Sequence, residues 1–284
     1  SHYNSNNKGG DGGSGIVVLK YQKTLSLITN LGSVNITGNV SGAGLNIQNN
    51  AASQIDGIIS GSSSLTKSGS GSLALLKANT YSGSTKVSSG SLVIEAINSF
   101  SSNSKLNLTG ILDLKGRSVQ TAGLEGNGTI TSSSLGTYNF NVVNNIVNTF
   151  TGIIENGTGT LSLTKSGAGE LILSGNNTYT GGTNLNGGTI TLNSVGAIGS
   201  SGTISFGGGE LKYSANNATD YSSRLSGASG QAFKVNTNGR TVTWASNLTN
   251  ESSSITKSGL GTWTVGVLNL ANASINEGTF NATS

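Results

Sequence analysis

The 284-residue chain contains no cysteine, no proline and no methionine. Without cysteine, disulfide bonds and thiolate metal sites are excluded. The single histidine, His2, lies beside the N-terminus, which argues against a Ser-His-Asp catalytic arrangement. No apolar run approaches the roughly 18 residues of a membrane helix, and no signal peptide is recognisable. Because the chain does not begin with Met, we expect a processed or trimmed product.

Charge is scarce as well. Charged residues make up 9% of the chain, and 15 Lys and Arg against 11 Asp and Glu give a net charge of +4. The basic residues are scattered singly, whereas a nucleic-acid-binding surface clusters them. We therefore expect no nucleic-acid partner and no membrane insertion by this segment.

Small polar residues dominate what is present. Gly, Ser, Thr and Asn account for 157 of the 284 residues, a bias that is often found in flexible, low-complexity chains. Hydrophobic residues still make up 33% of the sequence. A chain with this much apolar surface and so little charge collapses, so it must bury its apolar residues in a regular way.

A stretch of about thirty residues recurs, with copies near 64–94, 162–192 and 254–280. The copies begin SLTKSGSGSLALL, SLTKSGAGELILS and SITKSGLGTWTVG, and the third lacks the N-T-Y-T-G loop of the second. Their lysines are Lys67, Lys165 and Lys257, which lie 98 and 92 residues apart (165 − 67 and 257 − 165). Such spacing separates them by several structural units, so we expect no continuous basic row.

A shorter rhythm lies inside the copies. Apolar residues occur in pairs with one residue between them, and each pair recurs 19 residues later. The pairs are Leu73 and Leu75, then Leu92 and Ile94, and in the second copy Leu171 and Leu173, then Ile190 and Leu192. A period of two is strand spacing, and the Asn and Gly between the pairs favour turns. The pattern predicts strands that return to the same face every 19 to 24 residues.

These features predict an all-β, elongated parallel β-solenoid of roughly 12 coils, in which each coil covers the apolar face of its neighbour. A β-sandwich or an antiparallel barrel would need short hairpins and does not explain the offset of 19. Residues 1–24 form a Gly-rich lead and first strand, serving as a cap or as an inter-subunit strand. Residues 25–284 form the solenoid, with a loop excursion at 216–230.

The second copy, LTKSGAGELILSGNNTYTGGTNLNGGTITL, resembles the autotransporter-associated β-strand repeat of bacterial passenger domains. The similarity is close over 162–192, good over 64–94 and weaker over 254–280. The resemblance implies a right-handed parallel β-helix at the surface of, or outside, a Gram-negative cell. It implies no single activity, since passengers include adhesins, fibres and some enzymes.

Repetition favours a non-enzymatic extracellular structural solenoid that serves as a surface stalk, fibre or adhesin scaffold. One alternative is a self-assembling filament subunit, in which the apolar strand at 16–21 completes the last coil of the next molecule. A second is an adhesin module whose partners are surface glycans or neighbouring cells. A third is a polysaccharide-active enzyme.

The enzyme alternative needs two carboxylates some 5 to 10 Å apart. Glu155 and Glu170 would meet this need if they stacked on different coils, with Arg117 or Lys165 nearby. Isolated charges that keep a polar face soluble explain the same residues. We therefore predict no catalytic residues.

Metal and cofactor sites are not expected either. A Ca²⁺ loop needs several oxygen donors on one short segment, and the sequence has none. A calcium site assembled across coils would involve Asp113 and Glu125. We predict no metal site, no cofactor and no loss of stability in excess chelator.

Large aromatic residues complete the set of candidates. Tyr81 and Tyr179 lie in the N-T-Y turns, where we expect each ring to pack over a corner with its hydroxyl in water. Stacking on sugar rings is the alternative. Trp244 and Trp263 are expected to fill the apolar column near its C-terminal end.

Overall fold

Alternating apolar and polar residues place their side chains on opposite faces of an extended chain, and this chain uses that alternation throughout. The computed structural model describes residues 24–29, 33–42 and 44–283. Within them the chain forms thirty short strands and one 3-10 turn, η1, at Ser222–Arg224. The predicted strand at 16–21 lies outside the described residues, and so does nearly all of the lead at 1–24.

The strands follow one another with short connections. Strands β1 to β15 are Thr24–Thr29, Asn35–Ile36, Val40–Ser41, Gly44–Asn49, Ser53–Ile55, Ile59–Ser60, Ser64–Ser68, Ser72–Leu75, Thr85–Val87, Ser91–Ile94, Lys105–Leu108, Ile111–Asp113, Val119–Thr121, Gly123–Gly126 and Thr129–Thr131. Strands β16 to β30 are Thr137–Val143, Asn148–Phe150, Ile153–Ile154, Thr160–Ser166, Glu170–Leu173, Thr183–Leu185, Thr189–Leu192, Ile204–Phe206, Glu210–Lys212, Ala232–Asn236, Arg240–Trp244, Ser254–Ser258, Gly261–Val265, Asn272–Ile275 and Thr279–Ala282.

Every ladder between these strands is parallel. Strands β8 and β10 pair as predicted, with Leu73 opposite Leu92 and Leu75 opposite Ile94. Strands β20 and β22 of the second copy pair in the same register. Parallel pairing at an offset of 19 means that the chain advances by one coil between paired strands, so the β-solenoid prediction is confirmed.

The coils stack their strands into long sheets. The long sheet has thirteen strands in the order β1-β4-β7-β9-β11-β14-β17-β20-β22-β24-β25-β27-β29. The seven-stranded sheet is β18-β15-β12-β10-β8-β5-β2, and the five-stranded sheet is β13-β16-β19-β21-β23. Two smaller sheets, β26-β28-β30 and β3-β6, complete the set. Thirteen stacked strands correspond to about a dozen coils.

An apolar column fills the interior. All eight residues of the predicted apolar pairs are at most 1% exposed. Near the C-terminal end Trp244 and Trp263 are fully buried and meet edge to face, with ring centroids 4.9 Å apart. Phe280 of the last coil packs on Trp263 at 5.4 Å. The predicted role of the two tryptophans as fillers of the column is confirmed.

The predicted excursion at 216–230 is also confirmed, since no strand forms between β24 and β25. Arg224 ties this loop to the preceding coil, because its guanidinium donates hydrogen bonds to four backbone carbonyls, those of Ile198, Gly199, Ser201 and Gly202. In the described part of the chain, no helix combines the length and the apolar character that crossing a membrane requires.

Candidate functional site

The lysine of each repeat copy points into the column. Lys67 alternates with the inward Leu65 on β7, and the strand period therefore places both side chains on the same face. Lys67, Lys165 and Lys257 are all 0% exposed. As expected, no basic row forms on the surface. The burial itself was not predicted, although the Leu-Thr-Lys spacing contains the signal.

Three backbone carbonyls hold each buried ammonium group. The Nζ atom of Lys67 donates to the carbonyls of Ser68 at 2.8 Å, Gly69 at 2.9 Å and Ser89 at 3.2 Å. Two of these carbonyls belong to the corner that follows β7, and the third belongs to the next coil. The lysine therefore links two successive coils at a corner where the carbonyls turn inward.

The other two copies repeat this geometry, which we call the lysine cage. Its members are Lys165 with the carbonyls of Ser166, Gly167 and Gly187, and Lys257 with the carbonyls of Ser258, Gly259 and Glu277. In the second copy Gly188 has φ +60°, and a Cβ there would lie 2.8 Å from the Lys165 Nζ. Glycine is required because the cage leaves no space for a side chain and the φ is left-handed.

Burial governs the electrostatics of the cage. It lowers the pKa of Lys67 and of Lys165 to about 8, because carbonyl oxygens do not fully replace the water that an ammonium loses. It lowers the pKa of Lys257 too, against the opposing charge of Glu277. A pKa near 8 leaves Lys67 and Lys165 protonated at neutral pH, and protonation supplies the three N–H donors that each cage uses. The cage is therefore a structural element with no open coordination position.

Buried asparagines donate hydrogen bonds to backbone carbonyls at the same corners, one coil before the lysine. The amide nitrogen of Asn49 donates to the carbonyls of Ala51 at 2.6 Å and Ser72 at 2.8 Å. Asn144 occupies the corresponding place before the second copy, with the carbonyls of Ile146 and Glu170 as acceptors. Inward-facing carbonyls would otherwise lose their hydrogen bonds to water, so each such corner needs a buried donor.

The prediction for the two tyrosines is wrong. Tyr81 and Tyr179 are 0% exposed, and their hydroxyls lie 2.6 Å from the Thr85 Oγ1 and 2.8 Å from the Thr183 Oγ1. Each ring fills the side of the coil that forms no strand, and the threonine at the start of the next strand provides a buried hydroxyl partner. Burial raises the pKa of Tyr81 to about 12 and also raises that of Tyr179. Sugar stacking on these rings is excluded by the same burial.

The four residues of the enzyme alternative do not form a cluster. The Glu170 carboxylate begins β20 of the long sheet and pairs with the Lys212 ammonium at 3.2 Å. Glu155 follows β18 of the seven-stranded sheet. Lys165 lies inside the column, and the Arg117 guanidinium donates to a backbone carbonyl at 3.1 Å. Glu170, Lys165 and Arg117 are thus each engaged in a separate contact.

Asp113 and Glu125 likewise have separate partners. The Asp113 Oδ1 accepts hydrogen bonds from the backbone N–H groups of Lys115 and Ser133, each at 2.9 Å. The Glu125 carboxylate lies 2.6 Å from the Lys105 ammonium, and this contact lowers its pKa. Among the described residues, no group of three or more His, Cys, Asp or Glu side chains could hold a metal ion.

An open groove of about 460 Å³ lies between the excursion and the following coil. Phe233 and Leu248, both almost fully buried, form its floor. At its rim the Asn247 Oδ1 accepts a hydrogen bond from the backbone of Val267, and the Glu251 carboxylate accepts one from the Asn269 amide. These two rim groups thus already have partners on the next coil.

Comparison with known proteins matches the two most regular copies. The model of the passenger-associated transport repeat matches residues 65–94 and 163–192, so the chain carries two such repeats and the resemblance seen in the sequence is confirmed there. A curated relative, the adhesin BmaC autotransporter of Brucella suis biovar 1 (strain 1330), is 51% identical over 72 residues. That stretch covers 25% of this chain and 2% of the adhesin. No solved structure gives a significant match.

Proposed function

We propose that this chain is a non-enzymatic segment of an extracellular bacterial passenger, in which it forms a rigid stalk or adhesin scaffold. One observation carries the proposal: the coils stack in parallel along the described chain, and the buried polar groups at their corners hold neighbouring coils together. The two transport repeats and the partial similarity to an autotransporter adhesin support it.

The same similarity supports a location outside a Gram-negative cell. Passenger segments act after export, and a cysteine-free chain with few charged residues that folds coil by coil suits that route. Absence of disulfides leaves stability to the column and the cages, so the fold is independent of the redox state outside the cell.

The polysaccharide-active enzyme is the less favoured function. Glycoside hydrolysis uses two facing carboxylates, one of which has a raised pKa. The candidate Glu170 instead has a lysine partner, and Glu155 follows a strand of a different sheet. A scaffold explains such dispersed acids, since single charges keep its outer faces soluble.

Labelling of intact cells tests the location. Antibodies against this segment, applied to cells of the source bacterium without permeabilisation, should label the surface, and external protease should remove the signal. Labelling only after permeabilisation would contradict the proposal. Negative-stain electron microscopy of the purified segment should show rods about 60 Å long, since about twelve coils are spaced about 4.8 Å apart.

A further inference from the structure

The outer face of the five-stranded sheet differs from the other large faces because it carries no charge. Its strands are β13, β16, β19, β21 and β23, and their one charged residue, Lys165, points inward. The long sheet instead has outward ion pairs, between Lys105 and Glu125 and between Glu170 and Lys212. The outward residues of the uncharged face are Gln120, Thr137, Asn139, Asn141, Val143, Thr160, Ser162, Thr164, Ser166, Asn184 and Ser205.

Hydrogen bonds between coils fix the orientation of these side chains. The Asn139 Oδ1 accepts from the Ser162 Oγ at 3.1 Å and from the Thr164 Oγ1 at 2.8 Å. The Asn184 Nδ2 donates to the Thr164 Oγ1 at 3.2 Å, and its Oδ1 accepts from the Ser205 Oγ at 2.7 Å. The face is therefore an ordered network of amides and hydroxyls in rows about 4.8 Å apart.

This network leaves amide donors unused. Because the Asn139 oxygen is turned toward neighbouring hydroxyls, its NH₂ group points away from them, and it has no hydrogen-bond partner among the described residues. Gln120 uses its oxygen to accept from the Asn141 Nδ2 at 3.1 Å, and its own NH₂ group is likewise without a partner in the described chain. The face thus offers preoriented donors to an acceptor outside the molecule.

Exposed aliphatic side chains flank the same face. Leu135 precedes β16 and is 80% exposed, and Ile146 follows it and is 63% exposed. Strand β16 has seven residues, so these side chains bracket a polar row about 23 Å long. A partner lying along β16 would meet amide donors in the middle and apolar carbon at both ends.

We infer that this face binds a neutral polysaccharide, an inference that deepens the proposed function by naming a partner. A neutral glycan presents hydroxyl and ring oxygens that accept from amides, together with C–H surfaces that pack on aliphatic side chains. Acidic polymers, nucleic acids and anionic membranes require cations, which the outward positions of this sheet lack. The existing network holds the donors in place, so little rotamer entropy is lost on binding.

Asn139→Asp is the sharpest test. The aspartate keeps the oxygen that accepts from Ser162 and Thr164, but it removes the unused NH₂ group and introduces a charge. Asn107→Asp is the matched control, since Asn107 faces outward in the middle of β11 on the charged long sheet. Both variants should melt like the parent protein.

Binding is measured by co-sedimentation of the purified segment with insoluble neutral polysaccharides, cellulose and mannan, and by retention on heparin and alginate as charged comparators. We expect binding to a neutral polymer that is insensitive to salt and falls about tenfold in Asn139→Asp, as loss of one hydrogen bond implies. Asn107→Asp should bind as the parent does. This assay does not depend on cell location, so its failure is distinguishable from failure of the labelling experiment.

Several results would overturn the inference. They are absence of binding to both neutral polymers, equal binding by Asn139→Asp and the parent, and retention only on charged polymers with steep salt dependence. Sedimentation analysis without glycan gives one more: a dimer of the segment that Asn139→Asp dissociates would assign the face to a second copy of the chain.

Discussion

The second and third repeat copies have the same lysine cage in different surroundings. In the second copy, Leu185 lies opposite Lys165 on one side and Phe206 on the other, and it is 0% exposed. In the third copy, the corresponding Ile275 lies opposite Lys257 and is 43% exposed, because it belongs to the last strand of the long sheet. The cage therefore needs only its own corner and the next turn, whereas the apolar column needs a coil on each side.

The aromatic residues differ between the same two copies. Tyr179 fills the strand-free side of the second copy and bonds to Thr183. The third copy lacks this tyrosine. The large aromatic side chain of that copy is Trp263, which packs between Trp244 and Phe280. The lysine corner thus recurs with either aromatic arrangement, which indicates that the two parts of the repeat are separable.

A charged substitution in the apolar column should give the largest difference in stability between the second and third copies. Leu185→Asp buries a carboxylate between two coils, where the ammonium of the opposite Lys165 is already held by three carbonyls, and should lower the free energy of unfolding by about 4 kcal/mol or more. Ile275→Asp reaches water and should cost about 1 kcal/mol. Urea unfolding followed by circular dichroism measures both. Equal losses would show that the last coil is as enclosed as the inner ones.

Removal of the cage lysine comes next in size. Lys165→Met keeps the stem but leaves three corner carbonyls without their donor, at an expected cost of about 2 kcal/mol. Lys257→Met should cost less, because its third acceptor, the Glu277 carbonyl, belongs to the exposed last coil. Lys86→Met, at an outward position of β9, is the control and should be nearly neutral. An increase in stability for Lys165→Met would mean that burying the ammonium costs more free energy than its three hydrogen bonds contribute.

Loss of the tyrosine hydroxyl should have a smaller effect. Tyr179→Phe keeps the ring in the column and removes one buried hydrogen bond, which predicts a cost of about 1 kcal/mol. The control is Tyr138→Phe, whose partly exposed hydroxyl donates to the Leu135 carbonyl. Its thermal midpoint should change little. A Tyr179→Phe variant as stable as the parent would assign the whole contribution of this residue to packing.

The pH dependence should report how burial affects the charge of the cage lysines. The pKa of Lys67 and of Lys165 is about 8 in the folded chain and near 10.5 when unfolded, so between these values the unfolded state binds more protons. Stability should therefore rise from pH 8 toward pH 10. Above pH 10 the raised pKa values of Tyr81 and Tyr179 reverse the trend, because the unfolded tyrosines ionise first. Thermal midpoints of the double variant Lys67→Met/Lys165→Met should rise much less, since only Lys257 of the three cages remains, and an undiminished rise would assign it to other groups.

Much of this architecture could be predicted from spacing alone. The offset of 19 between Leu73 and Leu92 fixed both the direction of pairing and the register, since only a coil that returns to the same face repeats its apolar pair. The period of two identified which residues point inward. These patterns depend on short segments, where side-chain direction follows directly from position along the strand.

The buried polar residues were harder to predict. Lys67 alternates with Leu65, yet lysine is almost never fully buried without a partner, so the usual expectation places it outside. Its partners are backbone carbonyls, which have no signature in the sequence. The hydrogen bond between the hydroxyls of Tyr81 and Thr85 could not be predicted either, because it depends on the shape of the corner between these two residues.

The stacking of distant coils could not be predicted either. The lysine strands of the first and third copies, β7 and β27, lie in the long sheet, whereas that of the second, β19, lies in the five-stranded sheet. This placement depends on the exact coil lengths between copies. The uncharged face depends on it too, because its amides come from strands whose neighbours are set by those lengths.

Parallel stacking also has a kinetic consequence. Residues that pair on neighbouring coils of the described chain lie close in sequence. The shortest separation is 17 positions, as for Thr262 and Thr279, and the longest is 24, as for Lys212 and Asn236. β-Sheet proteins usually fold slowly, because pairing strands that are distant in sequence closes a long loop of chain. Here each new pairing closes a short loop, and these loops are similar in length. Formation of the first few coils is then the slow step, and every later coil adds to an existing edge like a closing zipper. Doubling the number of coils would lengthen the rod without a matching delay in folding.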